Sequence, residues 1–167
     1  MYAPWRTTYN TVAPAAATEN KHACPFCTQS TEDSDEKNFI LKRFKHCFVM
    51  LNRYPYYKGH LLVVPFKHVA SLELLEKNAL DELMHITAAF VPLLKQALGT
   101  VGTNIGMNLG GHFTGGSIPD HLHMHILPRA IGDTGFVTTI ADTIVIGANL
   151  NDVYTLLKTE CEKLILP

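Results

Sequence analysis

Three histidines that alternate with apolar residues restrict the fold of this chain more than any other feature. Residues 121–129 read HLHMHILPR. Strict alternation predicts a strand with one buried face, so the imidazoles of His121, His123 and His125 are expected to share the other face, roughly 6–7 Å apart. Core packing does not require three titratable rings on one face. The pattern therefore predicts chemistry rather than an ordinary surface strand.

Composition and charge narrow the classes of function. The chain has 167 residues, a length typical of one domain with its own core. Hydrophobic residues make up 47% and charged residues 17%, as in soluble globular proteins. The formal net charge of -1 supplies no basic field, so neither nucleic acid nor an anionic membrane is expected as a partner.

The N-terminal sequence and the cysteines predict a cytoplasmic protein. The first residues, MYAPWR, lack the basic region and apolar run of a secretory signal, and no segment has the length of a membrane span. Disulfides are not expected in the cytoplasm, so the pair Cys24 and Cys27 in a Cys-x-x-Cys motif is a metal or redox candidate. Cys47 and Cys161 lie among apolar residues and are expected in the core.

The hydrophobic periodicity predicts an α+β fold. Apolar runs predict strands at residues 39–45, 47–52 and 60–65, which short turns join into an antiparallel meander. A period near 3.6 residues predicts two helices, the first of which is stopped by Gly99. The remaining predicted elements are the long helix at 77–98, a strand at 105–109, a glycine-rich loop at 110–117 and the C-terminal helix at 151–165.

Further motifs around the histidines carry a resemblance to a known family. They are the opening segment Tyr2–Arg6, the Asn-Arg-x-Pro…Gly-His segment over 52–60, the loop Gly115–Ser117 and the trailing Leu127–Arg129. With them the chain resembles the histidine-triad (HIT) family, and in particular its diadenosine polyphosphate hydrolase/phosphorylase-like branch. The resemblance covers nearly the whole chain and is weakest across residues 11–37.

The resemblance implies an architecture that agrees with the predicted order of elements. A HIT-like fold consists of an antiparallel sheet of about five strands with two main helices, and such chains pair into homodimers. We therefore expect a single histidine-triad domain over residues 1–167. An N-terminal arm over residues 1–37 would carry the Cys-x-x-Cys pair.

The resemblance also implies a role for each histidine of the site. A neutral imidazole is a good nucleophile when one ring nitrogen is free and the other is held by an acceptor. In this family the middle position, His123, attacks the α-phosphate and forms a nucleotidyl-histidine intermediate. His125 is then expected to fix the tautomer of His123 or to contact phosphate. His60 is expected to be a further histidine of the site, which positions the residues that contact the substrate. Asn52 is expected to hydrogen-bond the ribose.

The glycine-rich loop is expected to bind phosphate. Glycines let backbone N–H groups approach phosphate oxygens, and donors placed there stabilise the charge of the transition state. Ser117 adds a catalytic hydroxyl six residues before the nucleophile. By resemblance to the phosphorylase branch, Asn108, Gly116 and Ser117 hold inorganic phosphate, which resolves the intermediate. Simple hydrolysis by water stays open.

The Cys-x-x-Cys pair predicts a structural zinc site when the resemblance is added. One such pair supplies two thiolates and needs two further ligands. In the metal-bearing branch of the family these are histidines at the positions of His68 and His121. The predicted zinc ligands are therefore Cys24, Cys27, His68 and His121. A reduced pair without metal is the alternative.

These observations lead to one preferred function and two alternatives. The preferred function is an enzyme that cleaves dinucleoside polyphosphates through His123. A nucleotide-binding or sensing module with the same fold and little turnover is the alternative. A hydrolytic zinc enzyme fits less well, because four protein ligands leave no open position on the metal for a catalytic water.

Overall fold

The computed structural model describes residues 24–114, 117–133, 135–141 and 146–164, without the side chains of residues 112, 113, 136 and 137. The helices are α1 (Pro25–Thr31), α2 (Lys77–Leu98), α3 (Phe136–Ala141) and α4 (Leu150–Glu162). The strands are β1 (Ile40–Arg43), β2 (Cys47–Leu51), β3 (Leu61–Pro65), β4 (Gly102–Gly106) and β5 (Met124–Arg129). Short 3-10 helices lie at Leu72–Leu74 and Gly111–Thr114.

The five strands form one antiparallel sheet in the order β1-β2-β3-β5-β4. The first three are consecutive neighbours, which confirms the predicted meander. The strand that follows the histidines, β5, then lies between β3 and the edge strand β4. The predicted α+β fold with about five antiparallel strands is therefore confirmed. No helix in the described ranges is both long and apolar enough to cross a bilayer.

The helices α2 and α4 pack against one face of the sheet, because the apolar side of each helix faces it. The α2 helix spans the predicted residues and ends at Gly99, whose φ of 65° is the left-handed conformation that glycine readily adopts. Buried side chains of this layer come from alternate strand positions and from the helices. They include Val49, Leu51, Leu61, Val63, Ile126, Leu83, Phe90, Leu94 and Leu157.

Within the described ranges, α1 covers only part of the opposite face of the sheet. The buried side chains of this face are Ile40, Phe48, Met50, Leu62 and Val64, which pack with Cys24 and Phe26. Pro25 occupies the first turn of α1, where its missing N–H removes no helical hydrogen bond. The seven residues of α1 cannot cover the whole face, and a pocket lies beside the helix.

A single arginine of β1 attaches α1 to the sheet. Arg43 donates hydrogen bonds to the backbone carbonyls of Gln29, Ser30 and Glu32, at the C-terminal end of α1. Its guanidinium also bonds the carboxylate of Asp35, with a contact of 2.7 Å. Carbonyls at a helix C-terminus lack helical partners and carry partial negative charge, so a fixed cation there stabilises the helix end.

Glu82 of α2 holds the turn between β1 and β2. Its carboxylate accepts backbone N–H groups from Lys45 (3.2 Å), His46 (2.6 Å) and Cys47 (2.8 Å). The Cys47 side chain is buried, as predicted, and so is that of Cys161. Burial raises the pKa of both thiols to about 12, which makes them core residues rather than reactive groups.

The structure differs from the sequence-based prediction in the two strands beside the histidines. The β5 ladder begins at Met124 rather than at residue 121, because the chain before it bonds the segment after β3: the Leu122 N–H donates to the Val69 carbonyl. The β4 strand lies at Gly102–Gly106 rather than at 105–109. It is an exposed edge strand, so it carries no alternating apolar pattern for the sequence to reveal.

Two helices were not predicted. Of these two, α1 lies beside the pocket, whereas α3 lies between the last strand and α4 in the chain. Seven residues and six residues are too short for a helical period to be read from sequence. Residues 1–23 of the predicted arm, with the opening motif, lie outside the described residues.

Candidate functional site

The pocket beside α1 has a volume of about 240 Å³ and lies on the face of the sheet that α1 leaves uncovered. Its wall is formed by α1, by strands β2 and β3, and by the residues around the three histidines. Its lining side chains are Pro25, Phe26, Gln29, Met50, Asn52, Arg53, Tyr54, Tyr56, Leu62, Asn108, Ser117, Ile118, His123 and His125. An apolar floor with a few convergent polar groups is typical of a small-molecule site.

The hydrogen bonds of His123 fix its tautomer. Its Nδ1 lies 2.8 Å from the carbonyl oxygen of His121. Because a carbonyl only accepts, Nδ1 must carry the proton and Nε2 keeps its lone pair. The ring also contacts Phe26 of α1, with 5.1 Å between centroids. Burial lowers the pKa of His123, so the ring stays neutral and nucleophilic at neutral pH.

His60 and His125 form a second chain of hydrogen bonds in the pocket wall. The Nδ1 of fully buried His60 accepts the Tyr56 backbone N–H at 3.1 Å, so its proton must lie on Nε2. That Nε2–H donates to His125 Nδ1 at 2.9 Å, which places the His125 proton on Nε2. His125 Nε2 is buried and has no partner in the described part of the chain. It is therefore a fixed N–H donor available to a ligand.

Asn52 takes part in the same chain. Its Oδ1 accepts the Tyr54 backbone N–H at 2.9 Å, and its amide Nδ2 lies 3.2 Å from His60 Nδ1. Two N–H donors thus face His60 Nδ1, which prevents protonation at that atom. The Asn52 amide lines the pocket, and its predicted contact with ribose stays a prediction.

Burial also keeps His125 neutral. It lowers the pKa of His125 to about 4, and the neighbouring His123 adds a smaller effect in the same direction. The two rings are 4.8 Å apart between centroids. A neutral imidazole carries only one N–H group. His125 can therefore donate to a phosphate oxygen from Nε2 only in the tautomer that the hydrogen bond from His60 imposes.

The predicted phosphate-binding residues line the pocket as far as the structure describes them. Asn108 and Ser117 line the pocket with His123 and His125. Gly116 lies outside the described residues. The glycine-rich loop therefore reaches the pocket, and the specific phosphate contacts stay predictions.

The four predicted metal ligands lie together. The Sγ atoms of Cys24 and Cys27 and the Nδ1 atoms of His68 and His121 all lie within 4.8 Å of one another. Cys24 Sγ is 3.3 Å and Cys27 Sγ is 3.6 Å from His121 Nδ1. His68 Nδ1 is 3.2 Å from both Cys27 Sγ and His121 Nδ1.

This donor set fits zinc. Zn–S bonds of about 2.3 Å and Zn–N bonds of about 2.0–2.1 Å put tetrahedral ligands about 3.3–3.8 Å apart, close to the distances seen. The other ring nitrogen of His121, Nε2, donates to the Pro65 carbonyl at 2.8 Å, so its Nδ1 lone pair points to the thiols. Such a carbonyl partner is usual for a metal-binding imidazole. Burial lowers the pKa of His121 to about 4, which keeps that lone pair available.

The pocket contains residues that the sequence analysis did not select. Phe26 and Gln29 of α1, together with Arg53 and Tyr56, line it. The Tyr56 ring stacks on His125 at 6.1 Å with an interplanar angle of 19°. The spacing of Phe26 and Gln29, three residues apart, is the only sequence signal, and it has meaning only once α1 is known to be a helix.

Comparisons with known proteins identify relatives of this chain in sequence and in fold. The chain is 38% identical over 162 residues to a protein of Mycobacterium tuberculosis (strain CDC 1551 / Oshkosh) named AP-4-A phosphorylase, covering 96% of this chain and 83% of that protein. It shares its fold with a Zn-bound histidine triad family protein from Mycobacterium smegmatis (TM-score 0.70, 19% identity, 86% of this chain and 96% of that chain). It likewise resembles Plasmodium falciparum diadenosine triphosphate hydrolase (TM-score 0.57, 19% identity, 76% and 78%). The model of the HIT domain matches residues 33–131, and the chain therefore belongs to the HIT domain family.

Proposed function

We propose that this protein cleaves dinucleoside polyphosphates such as diadenosine tetraphosphate at the α-phosphate, through a nucleotidyl-histidine intermediate on His123. One observation carries the proposal: the Nδ1–H of His123 is held by a carbonyl at 2.8 Å inside a pocket that it shares with His125. The names of the Mycobacterium tuberculosis relative and the Plasmodium falciparum neighbour support this substrate class.

The first half of the reaction forms a bond between His123 and phosphorus. The Nε2 lone pair attacks the α-phosphorus, and the bond from that phosphorus to the bridging oxygen breaks. The remaining polyphosphate leaves as a nucleoside triphosphate when the substrate is diadenosine tetraphosphate. His125 Nε2–H donates to an oxygen of the phosphoryl group, where negative charge develops. A fixed donor of this kind contributes about 3–4 kcal/mol to transition-state stabilisation.

The second half of the reaction frees His123. Inorganic phosphate or water attacks the α-phosphorus on the side opposite Nε2, and the histidine leaves as a neutral ring. Asn108 and Ser117, together with Gly116, are proposed to hold inorganic phosphate for this step. The relative named AP-4-A phosphorylase favours phosphate over water as the attacking group.

The test is incubation with diadenosine tetraphosphate, with and without inorganic phosphate, for the wild type and His123→Ala. ADP and ATP formed only with phosphate identify a phosphorylase, whereas AMP and ATP identify a hydrolase. His123→Ala should lose turnover while still binding AMP. Nucleotide binding without any turnover by the wild type would contradict the enzyme and support the binding module instead.

We propose that Cys24, Cys27, His68 and His121 hold a structural zinc ion. A site with four protein ligands supplies no open coordination position, so the metal would fix α1 against the histidine segment rather than act on substrate. The fit of the four donor atoms supports this, and the Mycobacterium smegmatis neighbour is described as Zn-bound. Metal analysis tests it: Cys24→Ser should lose zinc, and unchanged zinc content would refute the ligand set.

We also propose a homodimer in the cytoplasm. The edge strand β4 is mostly exposed, and its outer edge pairs with no described strand. Val101 and Ile105 expose 59% and 47% of their surface there. A second copy of this edge would pair these backbone groups and cover these side chains. Light scattering during size-exclusion chromatography tests the dimer, with Ile105→Lys expected to give monomers. Subcellular fractionation tests the location.

A further inference from the structure

One amide in the pocket has a buried oxygen that pairs with no described residue. Gln29 of α1 lines the pocket that contains His123, and its Oε1 is buried with no hydrogen-bond partner among the described residues. Buried polar atoms in native proteins are nearly always paired, so such an atom inside a pocket points to a ligand that pairs it. We infer that Gln29 receives the base of the bound nucleotide and selects adenine. The inference rests on the proposed function, because it assigns the base end of the same pocket.

The sheet provides a floor that extends from His125 far enough to hold a nucleoside monophosphate. Met50, Leu62 and His125 are direct neighbours across β2, β3 and β5, and all three line the pocket. Neighbouring strands lie about 4.8 Å apart, so Met50 is about 10 Å from His125 across the sheet. A nucleotide whose α-phosphate contacts His125 would then lay its base on the apolar side chains of Leu62 and Met50.

The helix α1 carries Gln29 toward β1, the strand next to Met50 on the side away from His125. Phe26 and Gln29 are three residues apart and so share one face of α1. Phe26 contacts His123, with ring centroids 5.1 Å apart, and Gln29 is one helical turn further along. Arg43 holds the Gln29 backbone carbonyl at 3.2 Å. The amide is therefore carried by an anchored element, which is what recognition of a base requires.

The amide of Gln29 matches adenine better than it matches the other bases. It offers one acceptor and one donor, and adenine presents the N6 amine as donor beside a ring nitrogen as acceptor, a bidentate pairing known for glutamine. In the orientation that the amide has in this pocket, guanine would face the buried Oε1 with its position-6 carbonyl, which is another acceptor. Pyrimidines are a ring shorter. The Gln29 Oε1 is thus expected to accept a hydrogen bond from the adenine amine.

Calorimetric binding of nucleoside 5′-monophosphates to the full chain tests this assignment. The ligands are AMP, GMP and purine riboside 5′-monophosphate, which differs from AMP only by lacking the amine. Wild type should bind AMP about 10- to 100-fold more tightly than the other two, since leaving a buried group unpaired costs that much affinity. Gln29→Met, similar in length and apolar, should bind all three within about threefold. Thr31→Ala, at the exposed end of α1, is the matched control and should keep the wild-type preference.

The outcomes separate this inference from the proposed function. Equal binding of AMP and purine riboside 5′-monophosphate by the wild type overturns the inference and needs no variant to fold. A preference for AMP that survives in Gln29→Met, or in Gln29→Leu if the first variant is unstable, also overturns it. The turnover of diadenosine and diguanosine tetraphosphate should follow the same order. Equal turnover of the two would remove the role of Gln29 but leave the enzyme; turnover of neither would remove the enzyme.

Discussion

The hydrogen bond from His60 to His125 can be tested by two substitutions, each of which keeps one of the two hydrogen-bonding positions of the His60 ring. Glutamine places an amide near the position of Nε2, so His60→Gln can still donate to His125 Nδ1. Asparagine places its amide near the position of Nδ1, so His60→Asn can still accept the Tyr56 N–H but donates nothing to His125. The two variants therefore remove opposite halves of one hydrogen-bond chain.

The size of the effect follows from the 2.9 Å bond in the pocket wall. Leaving the buried partner of such a bond unsatisfied costs about 1–3 kcal/mol. The bond exists only when His125 carries its proton on Nε2. Its loss therefore raises the free energy of that tautomer by the same amount. Each 1.36 kcal/mol is about tenfold in rate. His60→Asn should therefore reduce kcat about 10- to 100-fold, whereas His60→Gln should stay within about fivefold of wild type.

The assay is steady-state cleavage of diadenosine tetraphosphate, with thermal unfolding of both variants as the control. His60 is fully buried, and each variant loses one half of its bonds, so both should be destabilised to a similar extent. A purely structural role for His60 predicts that kcat follows stability in the two variants. Equal loss of kcat in both variants, or a larger loss in His60→Gln, would refute the tautomer argument.

Four further predictions follow from contacts described above. Because burial lowers the pKa of His123 and takes that of His125 to about 4, the acid limb of kcat/KM should lie below pH 6.5, and a limb above that pH would contradict it. The lowered His125 pKa also means that the unfolded chain binds the proton first, so denaturant midpoints should be constant above pH 6.5 and fall as the pH drops toward 4. Removal of the proposed zinc ion by a chelator should lower Tm by at least about 5 °C, since α1 would lose that anchor, and an unchanged melting curve would contradict the proposal. Glu82→Ala should cost about 2–3 kcal/mol in urea unfolding, because the Cys47 N–H is left unpaired in the core; a cost below about 0.5 kcal/mol would disprove this.

The elements that the sequence predicted well are those with a long or regular apolar pattern. The helix Lys77–Leu98 and the strands around Cys47–Leu51 and Leu61–Pro65 are buried enough for periodicity to show them. The edge strand Gly102–Gly106 was displaced in the prediction because four of its five residues are exposed. Only buried faces leave a pattern in the sequence.

The metal cluster shows a different kind of predictability. The four ligands were named from residue type and resemblance, and the structure places their donor atoms within 4.8 Å. Cys24 and His121 are 97 residues apart, so nothing local in the sequence indicates their contact. The ligand set could be predicted only from the resemblance to the family. That His121 Nδ1 carries the lone pair is known only from the hydrogen bond of Nε2 to the Pro65 carbonyl.

Residue types and their periods are properties of short segments, so they are enough to predict the α+β fold, the histidine repeat and the candidate ligands. The nitrogen that carries the proton in His123, His125 and His60 depends on partners from other segments, so it can be assigned only in the folded chain. The same holds for the position of α1, which forms a wall of the pocket and brings into it a Gln29 oxygen that pairs with no described residue. A polar group that awaits a ligand cannot be recognised from the sequence, because its lack of a partner depends on how distant segments pack together.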